Sequence, residues 1–242
     1  MSTASLHIRR SAERGHANHG WLDSYHSFSF SNYYDPAHMA YSVLRVINED
    51  VIAPGQGFGM HPHKDMEIIT YMLQGDLQHK DSLGNGSVIQ AGDVQRMTAG
   101  SGIVHSEFNA SNTQTVKLLQ IWILPERASL IPSYEEKHFT LKQKQDNWCL
   151  IASADGRDQS LLVHQDLSLY ATVLSAGQEL TYLLQAHRSS YIQVASGALE
   201  INGQSLLAGD ALMVDACLHD NLVIHNASTQ TELLLFDLPA QD

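Results

Sequence analysis

Cysteine is nearly absent: the 242-residue chain has two, Cys149 and Cys217, far apart and in no Cys-x-x-Cys motif. That excludes a disulfide-stapled scaffold and a cysteine-ligated zinc knot, and in a reducing compartment both read as small buried hydrophobes. No run approaches the roughly 18 consecutive apolar residues of a membrane span. The polar stretch 1–20 lacks the apolar core of a secretory signal, so a cytoplasmic location is expected. Positive charge is scarce, with 14 Lys+Arg against 26 Asp+Glu and a net charge of −12. Such a field repels phosphates and no basic run offsets it, which argues against direct nucleic-acid binding. Arg9, Arg10 and Arg14 read as a solvated strand edge. Helical periodicity is weak and limited to one short turn around residues 133–137.

What the chain does have is strands. Residues 42–51, 68–73, 88–91, 118–124, 191–195 and 233–238 are short apolar or alternating runs, punctuated by Gly, Asn and Asp. Gly84-Asn85-Gly86 and Asn202-Gly203 are turn signals that tolerate positive φ. Many short strands joined by such turns predict an all-β fold of sandwich or barrel type. The order of features also repeats. A strand ending at Gly75, a hairpin and Ala91-Gly92-Asp93 recur as a strand ending at Gly197, a hairpin and Ala208-Gly209-Asp210. Two similar β-domains follow, 1–136 and 137–242, with the polar stretch 137–147 as the boundary.

Histidine is the abundant outlier, at 14 residues, nine of them before residue 121. Two clusters stand out, His61-Pro62-His63 and His105-Ser106-Glu107. In a strand, positions i and i+2 share a face, so each cluster offers two ligands pointing one way. If both strands face one cavity, three imidazoles and a carboxylate converge, a donor set that suits a divalent first-row metal. Glu107 is favoured as the fourth ligand because its spacing needs no long regular strand. Glu67, which shares the parity of His61 and His63, is the alternative, or a group that orients a ligand imidazole. Asp65 reads as a solvated loop residue. Four protein ligands around an octahedral ion leave two positions open, the arrangement of a catalytic site. In the repeat, Leu183 and Gln185 fall opposite His61 and His63, and Leu222 and Ile224 opposite His105 and Glu107, so the metal belongs to the first domain. His164, His187, His219 and His225 read as surface or satisfied core residues.

With these residues in hand the chain resembles the pirin family of the cupin superfamily, and in particular the bacterial pirin-like quercetin 2,3-dioxygenases. The fragments that carry the likeness are Arg14-Gly-His-Ala-Asn-His-Gly-Trp-Leu-Asp23, His26-Ser-Phe-Ser-Phe30, Phe58-Gly-Met-His-Pro-His-Lys-Asp-Met-Glu67 and Met97-Thr-Ala-Gly-Ser-Gly-Ile-Val-His-Ser-Glu107. The resemblance implies a bicupin, two antiparallel β-barrels (jelly rolls) in tandem, with a C-terminal domain lacking metal ligands. It implies His61, His63, His105 and Glu107 as ligands of one divalent ion: iron first, with manganese, nickel, copper, cobalt or zinc as alternatives. The general cupin pattern is met from Gly55 through Glu67. Gly75 comes one residue late, however, and Thr98 stands where proline is usual; both departures fit Glu107 rather than Glu67 as ligand. The implied activity is ring opening of a flavonol such as quercetin by dioxygen, with release of carbon monoxide and Glu107 as the proton acceptor. Phe28, Phe30, Phe58, Met60 and Met97 are candidates for walling a flat aromatic substrate, against a default reading as core. The family also implies a second class of function, a protein-interaction or redox-sensing module, and a third, another small-molecule cupin enzyme.

Overall fold

The computed structural model describes residues 6–215, 221–226 and 229–240; Cys217 and His219 lie outside them. Two compact units divide the chain, one made of Gly15–Phe139 and Leu161–Gln165, the other of Met1–Arg14, Thr140–Ser160 and Asp166–Asp242. A single cut at 136/137 therefore does not describe the division. Leu6–Arg9 pairs with Ala211–Val214, a partner two hundred residues away that local composition could not reveal.

Each unit is a pair of antiparallel sheets. In the first, the large sheet runs Ser133–His138, Asp93–Thr98, Glu67–Gln74, Val116–Ile123, Leu44–Ile52, Leu22–His26, Gly15–Asn18. Its small sheet runs Gly57–His63, Ile103–Asn109, Asp76–Asp81, Gly86–Gln90. The second unit repeats the plan: Leu6–Arg9, Ala211–Val214, Arg188–Ser196, Gln230–Pro239, Ser168–Ser175, Cys149–Ser153 in the large sheet. Its small sheet is Glu179–Leu183, Asn221–His225, Ala198–Ile201, Gln204–Leu207. The expected bicupin architecture is what the chain adopts. The glycines that mark the repeat do the same job in both units. Gly75 and Gly197 have φ of 78° and 81°, and a Cβ there would meet the carbonyl oxygens of Thr115 at 2.7 Å and Gln230 at 2.4 Å. Only glycine accepts both the left-handed backbone and that approach.

Three local expectations change. Residues 133–137 form not a helical turn but an edge strand, Ser133–His138, held in register against Asp93–Thr98. Pairing overrides their weak helical pattern. Arg9 and Arg14 are buried, and Arg10 donates to Asp210 at 2.8 Å, so this end of the chain is not a solvated edge. Asp65 is not simply solvated, since its Oδ1 accepts the Ser129 N–H at 2.6 Å.

On the inner face of the first unit's large sheet, apolar layers enclose a polar one. Ile68, Met97 and Trp122 belong to one cluster, and Met72, Leu118 and Ile52 to another. Between them, cross-strand register lines up Glu136, Gln95, Thr70, Gln120, Asn48 and His26 in one transverse row. The equivalent row of the second unit reads Ile8, Leu212, Ile192, Leu235, Tyr170 and Leu150. Gln95, Thr70, Asn48 and His26 of this row are buried and Gln120 is partly so; burying polar side chains where the same fold works with apolar ones costs stability, so the row points to a site.

Candidate metal centre and its cavity

His61 and His105 face each other across the Gly57–His63 and Ile103–Asn109 ladder, and His63 pairs with Ile103. Close approach of these strands requires Gly57, where a Cβ would lie 2.2 Å from the Glu107 carbonyl oxygen. The ladder slips between His105 and Glu107, so that Glu107 sits opposite Phe58. This irregularity re-aims side chains beside the site, as bulges commonly do. The three imidazoles pack with ring centroids 4.4 to 4.8 Å apart. Their ligating nitrogens form a set within 4.8 Å of one another that could hold a metal ion. A second set, fully buried, joins His79, His105 and Glu107.

The donor chemistry fits a cation. His61 Nδ1–H donates to the Gly59 carbonyl at 2.7 Å, which leaves Nε2 with its lone pair. Both ring nitrogens of His105 are buried with no hydrogen-bond partner among the described residues. Burial, then the neighbouring His61, lowers the His63 pKa to about 4; burial and the surrounding histidines lower that of His105 to about 2. Both rings are therefore neutral at physiological pH, the form that binds metals. Orphaned, neutral, clustered imidazoles are costly for a protein unless something else completes them.

Glu107 is buried and held from both sides. Oε1 accepts Gln95 Nε2–H at 2.8 Å and the Thr70 hydroxyl at 3.3 Å, and Oε2 accepts Gln120 Nε2–H at 3.1 Å. Burial still pushes its pKa up, against the lowering influence of His79 and His61. Glu67 is not brought into either set. The strand breaks after His63, with Asp65 at φ 50°, so parity does not carry through to residue 67. Its Oε2 instead accepts the His164 backbone N–H at 3.2 Å.

His61, His63 and Glu107 open onto a cavity of about 640 Å³. Trp21, Phe30, Tyr33, Phe58 and Trp122 supply its aromatic walls, and Ser24, His26, Asn48, Asp50 and Gln120 its polar ones. Of the five expected wall residues, Phe30 and Phe58 line it. Phe28 and Met97 are core, and Met60 is 62% exposed. Sequence reading missed His79 and the glutamine pair. Comparing the repeats beyond the ligands would have exposed them, since His79 is cross-strand to Glu107 as Ile201 is to Ile224.

Asp50 makes a testable contribution to stability. Burial pushes its carboxyl up from 3.8 to about 7, against the Ser24 hydroxyl that donates to it. Below about pH 3.8 the group is mostly neutral, folded or unfolded, and costs little. As pH rises toward 7 the unfolded chain ionises while the folded one holds its proton, so stability falls, by up to about 4 kcal/mol. Asp50→Asn in metal-free protein should leave thermal unfolding at pH 4 unchanged and raise Tm by several degrees at pH 8. An equal Tm change at both pH values would show that ionisation is not the cause.

The comparisons with known proteins agree with this geometry. Residues 7–123 match the Pirin family model and residues 150–238 the quercetinase C-terminal cupin domain. A quercetin 2,3-dioxygenase of Escherichia coli K12 is 49% identical over 234 residues, 97% of this chain and 99% of that one. A pirin-like protein of Caulobacter vibrioides is 43% identical over 92% of this chain and 95% of its own. The crystal structure of bacterial pirin YhhW from Escherichia coli in complex with nickel(II) superposes with a TM-score of 0.90 at 48% identity, covering 98% of this chain and 100% of that one. Sequence, two-barrel fold and clustered histidines converge on one conclusion: the chain belongs to the pirin family, with a cupin domain in its C-terminal half.

Proposed function

We propose that the protein is a metal-dependent dioxygenase that opens the ring of a flavonol such as quercetin with dioxygen. The ligands of its one divalent ion would be His61, His63, His105 and Glu107. The observation that carries this reading is the cluster of three imidazoles, with His105 unpartnered among the described residues, at the wall of an aromatic cavity large enough for a drug-sized ligand. The E. coli relatives, named for quercetin dioxygenation in one case and crystallised with nickel in another, support it. Iron remains the first candidate, and nickel lies within the same donor chemistry.

When bound, the ion supplies Lewis acidity toward a coordinating hydroxyl. The protein's own residues do the rest. Glu107, fixed by Gln95, Thr70 and Gln120, accepts the substrate hydroxyl proton. Trp122, edge-on to His63 at 5.0 Å, and Phe58, tilted against His61 at 6.2 Å, flank the cluster and exclude water from a flat ligand. An interaction module would need an exposed patch, not an aromatic cavity leading to the histidines. The cytoplasm is the inferred location, and no helix among the described residues is long and apolar enough to cross a membrane.

The test is turnover of quercetin under air by protein stripped of metal and reloaded singly with iron, manganese, nickel, copper, cobalt or zinc, following substrate absorbance and carbon monoxide. Metal-dependent loss of quercetin with release of carbon monoxide is expected. No loss with any metal rejects the reading for flavonols.

A further inference from the structure

The cavity has a second polar wall that the metal chemistry does not use. Asp50 is 3% exposed, yet its carboxylate lines the cavity, together with Ser24, Asn48 and His26. Oδ1 takes the Ser24 hydroxyl, and no other hydrogen bond reaches this carboxylate from the described residues. Asn48 Oδ1 faces His26 Nδ1 at 2.9 Å, so that acceptor is taken and Asp50 is left as the open one. The other acid lining the cavity is Glu107, which the reading above commits to the ion and to the hydroxyl proton.

A buried carboxylate short of donors is an expensive structural element, because a neutral residue would fill the same space without the desolvation cost. The equivalent strand position in the second unit is Thr172, whose hydroxyl is satisfied by the Lys144 carbonyl. Asp50 therefore answers to something that enters the cavity, and that partner must donate hydrogen bonds. It must also be flat and largely apolar elsewhere, given the rings around it.

We propose that Asp50 is a specificity-determining residue that accepts a hydrogen bond from a phenolic hydroxyl of the substrate, at a point remote from the hydroxyl that meets the metal. This rests on the flavonol reading above and narrows it to polyhydroxylated substrates. Flavonols bearing only the 3-hydroxyl would bind without this anchor.

The experiment measures equilibrium binding by quenching of tryptophan fluorescence, from Trp21 and Trp122 in the wall, alongside kcat and KM. Quercetin is compared with 3-hydroxyflavone, in metal-loaded wild type and in Asp50→Asn, with metal content and Tm as controls on the fold. In wild type, quercetin should bind at least ~10-fold more tightly than 3-hydroxyflavone. In the variant that advantage should shrink to about twofold, through a weaker quercetin Kd and a higher KM for quercetin. Equal weakening of both ligands, or of neither, overturns the assignment while leaving the dioxygenase reading intact. A wild type that binds neither flavonol overturns both. Asp50→Glu offers a further check: it keeps the charge and should retain part of the quercetin preference, which a purely structural Asp50 would not produce.

Discussion

His105→Ala should strip the protein of metal, from about one ion per chain to less than ~0.1, and lower turnover on the order of 10³-fold or more. His105 belongs to both candidate sets, is almost completely buried, and has neither ring nitrogen occupied among the described residues. Losing even an indirect partner of a metal ligand typically costs 10–100-fold in affinity or activity, so losing this imidazole costs more. Its stability signature is opposite to that of a structural histidine. In metal-free protein the wild type carries two unsatisfied buried nitrogens at about 1–3 kcal/mol each, which roughly offsets the cavity left by alanine. Tm in chelator should therefore change little. With ion at a hundredfold excess over Kd, only wild type gains about 2.7 kcal/mol, on the order of 5–10 °C for a unit of this size. Unfolding curves of both proteins, with chelator and with metal, decide the matter. An equal loss of Tm under both conditions would make His105 a packing residue and remove the foundation of the metal site.

Much of this was legible in the sequence because it depends on short-range rules. The strands at 68–73, 118–124 and 233–238 are found within three residues at each end, since alternation and turn residues are local properties. The i, i+2 spacing brought His61 and His63 together because Gly57–His63 is an unbroken strand. The same parity failed for Glu67, because the left-handed backbone at Asp65 interrupts the count. What local rules could not supply was register between distant strands. His79 is an ordinary polar residue in its own strand until Ile103–Asn109 places Glu107 across from it. Gln95, Thr70 and Gln120 lie on three strands and become one row only when the sheet forms. The repeat held a partial remedy: Gly92 and Gly209 each stand three residues before the pair Gln95 and Leu212, a polar-to-apolar exchange at a core position.

That exchange yields the second large effect. Gln95→Leu with Gln120→Leu installs the residues that the second unit carries at the same places, Leu212 and Leu235. Volumes barely change, so packing should survive. Glu107 keeps only the Thr70 hydroxyl at 3.3 Å, and an all but unpaired buried carboxylate costs about 2–4 kcal/mol. Turnover should fall at least ~100-fold, because the proton acceptor is no longer held toward the cavity. Adding Glu107→Ile completes the second unit's pattern, in which Ile224 occupies this position without exposure. The triple variant should recover most of the lost stability and none of the activity. Non-additivity of that sign, measured by denaturant unfolding of metal-free protein, separates a cradle built around one carboxylate from three independent polar residues. If the double variant is as stable and as active as wild type, Gln95 and Gln120 do not hold Glu107. If the triple variant is less stable than the double, the row is part of the fold's own support rather than a device for the site.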